Sequence, residues 1–166
     1  MVQWSIVGGS VAWAAALPLA TFAASRPHNG PVTYLATLAV YGAGSLICHQ
    51  LPERSFHLWT AQMPVCARCT GIYVGAAIAA IVSGFRVVRL TATRLQRCVA
   101  NPGRPRSTRR QLLVAALPAL TTLLFEWTTG QTPANWIRAA TGVCLGAVTA
   151  AVVFAYAQDA ERPEGN

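Results

Sequence analysis

Five uncharged stretches recur along the chain, at residues 4–24, 31–47, 70–85, 111–125 and 139–158. Each is long enough to form a helix, and crossing a hydrocarbon layer of ~30 Å takes roughly 20 residues at helical rise, with about 17 tolerated. The third and fourth stretches reach that length by taking in semi-polar flanks, residues 64–70 and 127–129. The pattern predicts an all-α, polytopic membrane helix bundle with about five transmembrane helices near residues 4–24, 31–49, 64–85, 111–129 and 137–158. These make a single transmembrane domain over residues 1–158, followed by a tail at 159–166. The first stretch has no basic segment before it, so it reads as a retained helix rather than a cleaved signal peptide.

Composition supports the same class. Residues of the apolar set make up 54% of the 166, and Asp, Glu, Lys and Arg together only 11%, which excludes a disordered tail or an acidic scaffold. The net charge of +8 comes from thirteen basic residues, all Arg, against five acidic ones. Eight of the thirteen fall between Arg86 and Arg110, while residues 1–25 carry no charge. So localised an excess reads as membrane topology, with some affinity for anionic lipid, rather than as a nucleic-acid surface. The positive-inside rule places the loop at 86–110 in the cytoplasm. Counting outward from it, the C-terminal tail and residues 25–30 are cytoplasmic, and the N-terminus and the connections at 48–69 and 126–138 are extracytoplasmic.

The two inward-running helices echo one another. Thr70-Gly71 with Gly75, and Thr141-Gly142 with Gly146, both read Thr-Gly-x-x-x-Gly, with Arg68 and Arg138 just before. The echo predicts a parallel repeat in which helices 2–3 recur as helices 4–5. Small residues four apart let helix backbones approach closely, so the glycine pairs read as packing contacts and predict that the third and fifth helices meet centrally.

Candidate chemistry is concentrated in one connection. Three of five Cys and two of three His lie within the 22 residues from Cys48 to Cys69. With Pro64 as a helix starter, Cys66 and Cys69 share one face of a first turn, where the helix N-terminus and Arg68 favour thiolate. Cys48 supplies a third sulfur. Tetrahedral zinc, or another transition metal, needs four N or S ligands, and His49 or His57 completes the set. Cys48 and His49 bind one ion only if the helix unwinds between them. The same thiols also fit redox exchange with a membrane quinone, or a structural disulfide. Cys98 and Cys144 have no evident partner.

Arg54, Ser55, Arg68 and Arg138 lie on the face where basic residues are disfavoured, which calls for compensation. Glu53 and Glu126 are available as salt-bridge partners, and a bound phosphate, carboxylate or lipid headgroup is the alternative. Glu126 follows an apolar run at membrane depth, where a carboxylate is either paired with Arg or functional. Gln131, Asn135 and Trp136 either line a polar pocket there or cap the last helix.

The strings CHQLPERSF, PVCARCTGIYVG and NWIRAATGVCLG resemble the domain of unknown function 2085 family of membrane proteins, over most of residues 45–147. The resemblance singles out Cys48, His49, Gln50, Pro52, Arg54, Ser55, Cys66, Arg68, Cys69, Thr70, Gly71, Gly75, Asn135, Arg138, Thr141, Gly142 and Gly146. It implies a multi-helix membrane protein and no particular reaction. Where the family pattern leads one to expect an acid followed by Gly, this chain has Glu126-Trp127. The sequence therefore predicts a multi-pass cell-membrane protein with an extracytoplasmic site, the alternatives being a quinone-coupled thiol-disulfide oxidoreductase and a non-catalytic membrane subunit. Cys48, Cys66 and Cys69 with His49 or His57 hold the metal, and Arg54 and Arg138, with Arg68, Ser55 and Asn135, hold an anionic group. Glu126 is the candidate acid or base. The expected partners are membrane lipid, including an anionic or phosphate-bearing one, and no nucleic acid.

Overall fold

The uncharged stretches form five helices in the computed structural model, which describes residues 2–27, 30–84 and 105–160. They are α1 (Val2–Ala24), α2 (Pro31–Ile47), α3 (Ala67–Gly84), α4 (Pro105–Thr129) and α5 (Asn135–Ala160). Most of the Arg-rich segment, Cys98 within it, and residues 161–166 of the tail lie outside the described residues. By length and composition α1, α3, α4 and α5 can each cross a membrane, whereas α2 has 17 residues. Leu19, Ile78, Leu117 and Val153 stand exposed on those four helices. Apolar surface of that extent is stable against lipid rather than water, and the chain is a multi-pass membrane protein.

The bundle is organised around α3 and α5. A Cβ on Gly71 would sit 2.0 Å from the Ala139 carbonyl oxygen, and one on Gly75 would sit 2.3 Å from that of Val143. Reciprocally, a Cβ on Gly142 would sit 2.3 Å from the Arg68 carbonyl oxygen, and one on Gly146 2.0 Å from that of Ile72. Contacts advance together along both helices, so the helices are parallel. Aligning Gly71 with Gly142 and Gly75 with Gly146 pairs each contact with its counterpart, the signature of a local two-fold relation. The central meeting of these helices, expected from the two glycine pairs, is what the fold contains.

The membership of the repeat differs from the sequence expectation. Gly84 at the end of α3 meets Val7 and Trp4 near the start of α1, Tyr73 packs edge-on against Trp13 at 5.9 Å, and Leu17 joins Met63 and Val65. Helix α1 therefore runs antiparallel to α3 and is its principal partner after α5, while α4 packs on α5. The repeat is α1–α3 with α4–α5. Helix α2 instead packs on α1 and on residues 61–66, the second strand of the hairpin that precedes α3. The N-terminus accordingly lies at the Gly84 end, the end from which the Arg-rich segment departs. The sequence count put it at the other end because it gave α2 a crossing.

Between α2 and α3 the chain forms a hairpin that the sequence reading did not anticipate. A 3-10 turn (Pro52–Arg54) leads into β1 (Ser55–Leu58), which pairs antiparallel with β2 (Ala61–Cys66) in the register Ser55↔Cys66, His57↔Gln62 and Leu58↔Ala61. Pro64 sits in β2 rather than starting a helix, a position open to proline because a two-stranded ribbon has free edges. Met63 and Val65 are buried against Leu17, with Trp13, Val40 and Tyr73 around them. Buried non-helical backbone needs internal hydrogen-bond partners, and side chains supply them. Gln50 Nε2 donates to the Pro64 carbonyl (2.7 Å), Gln62 Nε2 to that of Gln50 (2.6 Å), the Tyr41 hydroxyl to that of Gln62, and Asn135 Nδ2 to that of Ser55 (3.0 Å). Gly44 of α2 admits the Pro64 carbonyl, which a Cβ there would meet at 2.3 Å.

The two-residue turn at the hairpin tip requires positive φ at both positions, and Trp59 (φ 50°) and Thr60 (φ 71°) occupy them. Trp59 earns its place by packing on Phe22, centroids 5.2 Å apart. Thr60, exposed and β-branched, is strained. Thr60→Gly is expected to stabilise the protein by about 1 kcal/mol, read as a higher unfolding midpoint in detergent. A lower midpoint would show that the turn carries no such strain.

Candidate functional site

Three thiols converge where the hairpin joins α3. Helix α2 stops at Ile47 and Cys48 is extended (φ −145°, ψ 140°), so the helix does unwind before His49. Cys66 closes β2, and Cys69 lies in the first turn of α3. The two are therefore not both in a helical first turn, as the spacing alone suggested. The hairpin nonetheless delivers Cys66 to the same place, its backbone N–H donating to Cys48 Sγ at 3.2 Å. All three Sγ atoms lie within 4.8 Å of one another, and each cysteine is free and half-buried. The Cys69 thiol donates to Cys66 Sγ, and backbone N–H groups of Cys69 and Arg68 reinforce it. Against the opposing effect of burial, these hold the Cys66 thiol well below the usual range, at about 5.

Beside the thiols lies a buried charge group. Glu126, in the last turns of α4, is 6% exposed, and Arg138, in the first turn of α5, is 2% exposed. Arg138 Nη2 is 2.9 Å from Glu126 Oε1. Arg68 Nη2 approaches the same oxygen at 3.9 Å and Arg54 Nη1 approaches Oε2 at 3.8 Å. Arg68 also donates to the Thr122 hydroxyl at 3.0 Å. One carboxylate thus faces three guanidinium groups carried by α3, α5 and the turn before β1. Glu53 reaches only Arg54 Nε, at 4.0 Å, from an exposed position. Several polar atoms of this group are unmet: Arg54 Nε, Arg68 Nε, Arg138 Nε and Nη1, and both Glu126 carboxylate oxygens are buried without a hydrogen-bond partner.

A cleft of about 360 Å³ joins the two groups, its lining including Cys48, Cys66 and Cys69 together with Arg54, Arg68 and Arg138. His49 is exposed and lines the same cleft, while His57 is exposed on β1 opposite Gln62, and neither belongs to the close thiol group. Ser55 is buried and donates to the Leu51 carbonyl (2.9 Å), and Asn135 ties α5 to Ser55, so both act on the hairpin backbone. Gln131 and Trp136 are exposed beyond the cleft, and Cys144 is exposed on α5. Sequence reasoning gave no role to Gln62 or Tyr41, which hold the hairpin against α2. Their signal is a polar side chain in an otherwise apolar setting, and it does not reveal a partner many residues away.

The family described as "Predicted membrane protein (DUF2085)" matches residues 48–152, from the first thiol through most of α5. An uncharacterized protein of Methanocaldococcus jannaschii is 47% identical over 49 residues, covering 30% of this chain and 31% of that protein. Another, from Methanothermobacter thermautotrophicus, is 60% identical over 30 residues, covering 18% of this chain and 27% of that protein. The chain matches less than a third of the length of each of these relatives. No solved structure matches it.

Proposed function

The chain belongs to the DUF2085 family of membrane proteins, and from that premise we propose that Cys48, Cys66 and Cys69 bind a soft transition-metal ion, zinc foremost, at the extracytoplasmic end of the bundle. The supporting observation is the convergence of three free sulfurs within 4.8 Å, contributed by three different elements. That spacing is within about 1 Å of what a tetrahedral ion with metal–sulfur bonds of roughly 2.3 Å requires. Thiolate ligands must be deprotonated, and the donating Cys69 thiol, followed by the amides at the start of α3, favours that state at Cys66. His49, lining the cleft, is the protein's own candidate for the fourth ligand. With the fourth position open instead, the ion supplies Lewis acidity to whatever occupies the cleft. Sidedness follows from the positive-inside rule: the end of α3 that leads into the Arg-rich segment is cytoplasmic, and the thiol end is outside.

The test is elemental analysis of detergent-purified chain beside Cys66→Ser/Cys69→Ser. The expected result is close to one metal per chain, lost in the variant while its helicity is retained. Metal-free protein of both kinds, purified without chelator and folded, would overturn the proposal.

A second reading draws on the same proximity. Cys66 and Cys69 together give up two electrons and two protons to a membrane quinone, forming one S–S bond and one quinol. Thiol trapping with a mass tag separates the two. Oxidant-dependent loss of two tags supports exchange, and tags displaced only by metal support binding.

A further inference from the structure

We propose that the arginine side of the cleft is an anion site that takes a phosphate group, carried by a membrane lipid or free in solution. Three guanidinium groups stand within 4.0 Å of Glu126, and the exposed Glu53 reaches Arg54 alone, so the group keeps one excess positive charge beside the cleft. Uncompensated charge at membrane depth is costly and persists where a counter-ion is bound.

Donor geometry is the second, independent observation. Arg138 is almost wholly buried and lines the cleft, yet its Nε and Nη1 have no hydrogen-bond partner, and Nε of Arg54 and of Arg68 is likewise unmet. A tetrahedral oxyanion presents several oxygens at once, matching guanidinium forks that converge from three elements. Glu126 remains the internal partner of Arg138, through Nη2 alone.

Surroundings indicate how the phosphate arrives. Ile47 and Leu51 line the same cleft and are exposed, and Leu46 beside them is 87% exposed. A cationic floor opening past apolar side chains suits a headgroup whose chain remains in the bilayer. A volume of about 360 Å³ accommodates the headgroup and leaves the chain outside.

The experiment uses the full chain, first reconstituted in vesicles of equal parts phosphatidylcholine and phosphatidic acid, then re-extracted and stripped of loose lipid by detergent washing. Retained lipid is counted by phosphorus analysis and mass spectrometry. Phosphatidic acid retained in preference to phosphatidylcholine, and reduced about tenfold in Arg54→Gln, whose loss removes a rim charge, is the expected result. Arg138→Lys, which keeps the charge and removes the fork, is expected to weaken retention as well. If Arg138→Lys fails to fold, Arg54→Gln at its partly exposed position carries the test. A second arm measures binding of inorganic phosphate to lipid-stripped protein by ³¹P line broadening. Phosphate competing with phosphatidic acid supports a site for the shared group. Phosphatidic acid binding without phosphate binding supports a site that reads the lipid. Equal retention of the two lipids with no phosphate binding, or retention indifferent to Arg54→Gln in folded protein, overturns the proposal.

Discussion

Glu126→Gln is expected to destabilise the folded chain by about 3–5 kcal/mol, because it removes the carboxylate and leaves Arg138 buried with no countercharge. Both side chains are 3% exposed and 2.9 Å apart, so solvent cannot take over the lost interaction. Arg68 and Arg54 then add repulsion, since each approaches the same carboxylate within 4.0 Å. Unfolding in mixed micelles, with SDS titrated into a mild detergent, reads the effect. Glu126→Gln/Arg138→Met, which removes the pair together, is expected to recover part of the loss. Stability unchanged in Glu126→Gln would mean that the carboxylate is not the internal partner of the arginines.

The second large effect lies at the α3–α5 seam. Gly71→Ala and Gly146→Ala each place a methyl group 2.0 Å from a backbone carbonyl oxygen of the facing helix. Backbone cannot swing aside as a flexible side chain does, so the helices must separate, at a cost of about 3 kcal/mol or more. Separation also moves Arg68 away from Arg138, so the variants should lose both stability and the integrity of the cleft. Gly42→Ala is the control: nothing lies within 4 Å of a Cβ there, and a helical position is expected to gain slightly from alanine. Comparable folding of all three variants would contradict the close approach.

Much of this arrangement is legible in the sequence, for reasons that differ by element. Uncharged stretches mark the helices because a bilayer tolerates little else, and the two glycine pairs mark the seam because small residues four apart form a continuous groove. Glu126 and the arginines find each other by elementary charge balance. Cys48, Cys66 and Cys69 stand out by composition, although their convergence depends on an element that was not legible. The hairpin hides because its turn is Trp59-Thr60 rather than a glycine-bearing pair, and because Pro64 before Cys-x-x-Cys imitates a helix start. Its alternation is nonetheless present: Phe56 and Leu58 on β1, Met63 and Val65 on β2, all turned toward the apolar core. The placement of α2 was missed for a related reason. Seventeen apolar residues satisfy a length rule, and only the contacts of α1 with α3 show which helix is the crossing partner.

The central claim, that three sulfurs from three elements form one metal site, is tested most directly by X-ray absorption at the metal edge of the purified wild-type chain. The account predicts three sulfur scatterers at about 2.3 Å with a single lighter N or O neighbour at about 2.0–2.1 Å, the light neighbour changing when His49 is replaced by Ala if His49 is the ligand. A shell made only of nitrogen and oxygen, or a sulfur shell that survives Cys66→Ser/Cys69→Ser unchanged, would contradict it.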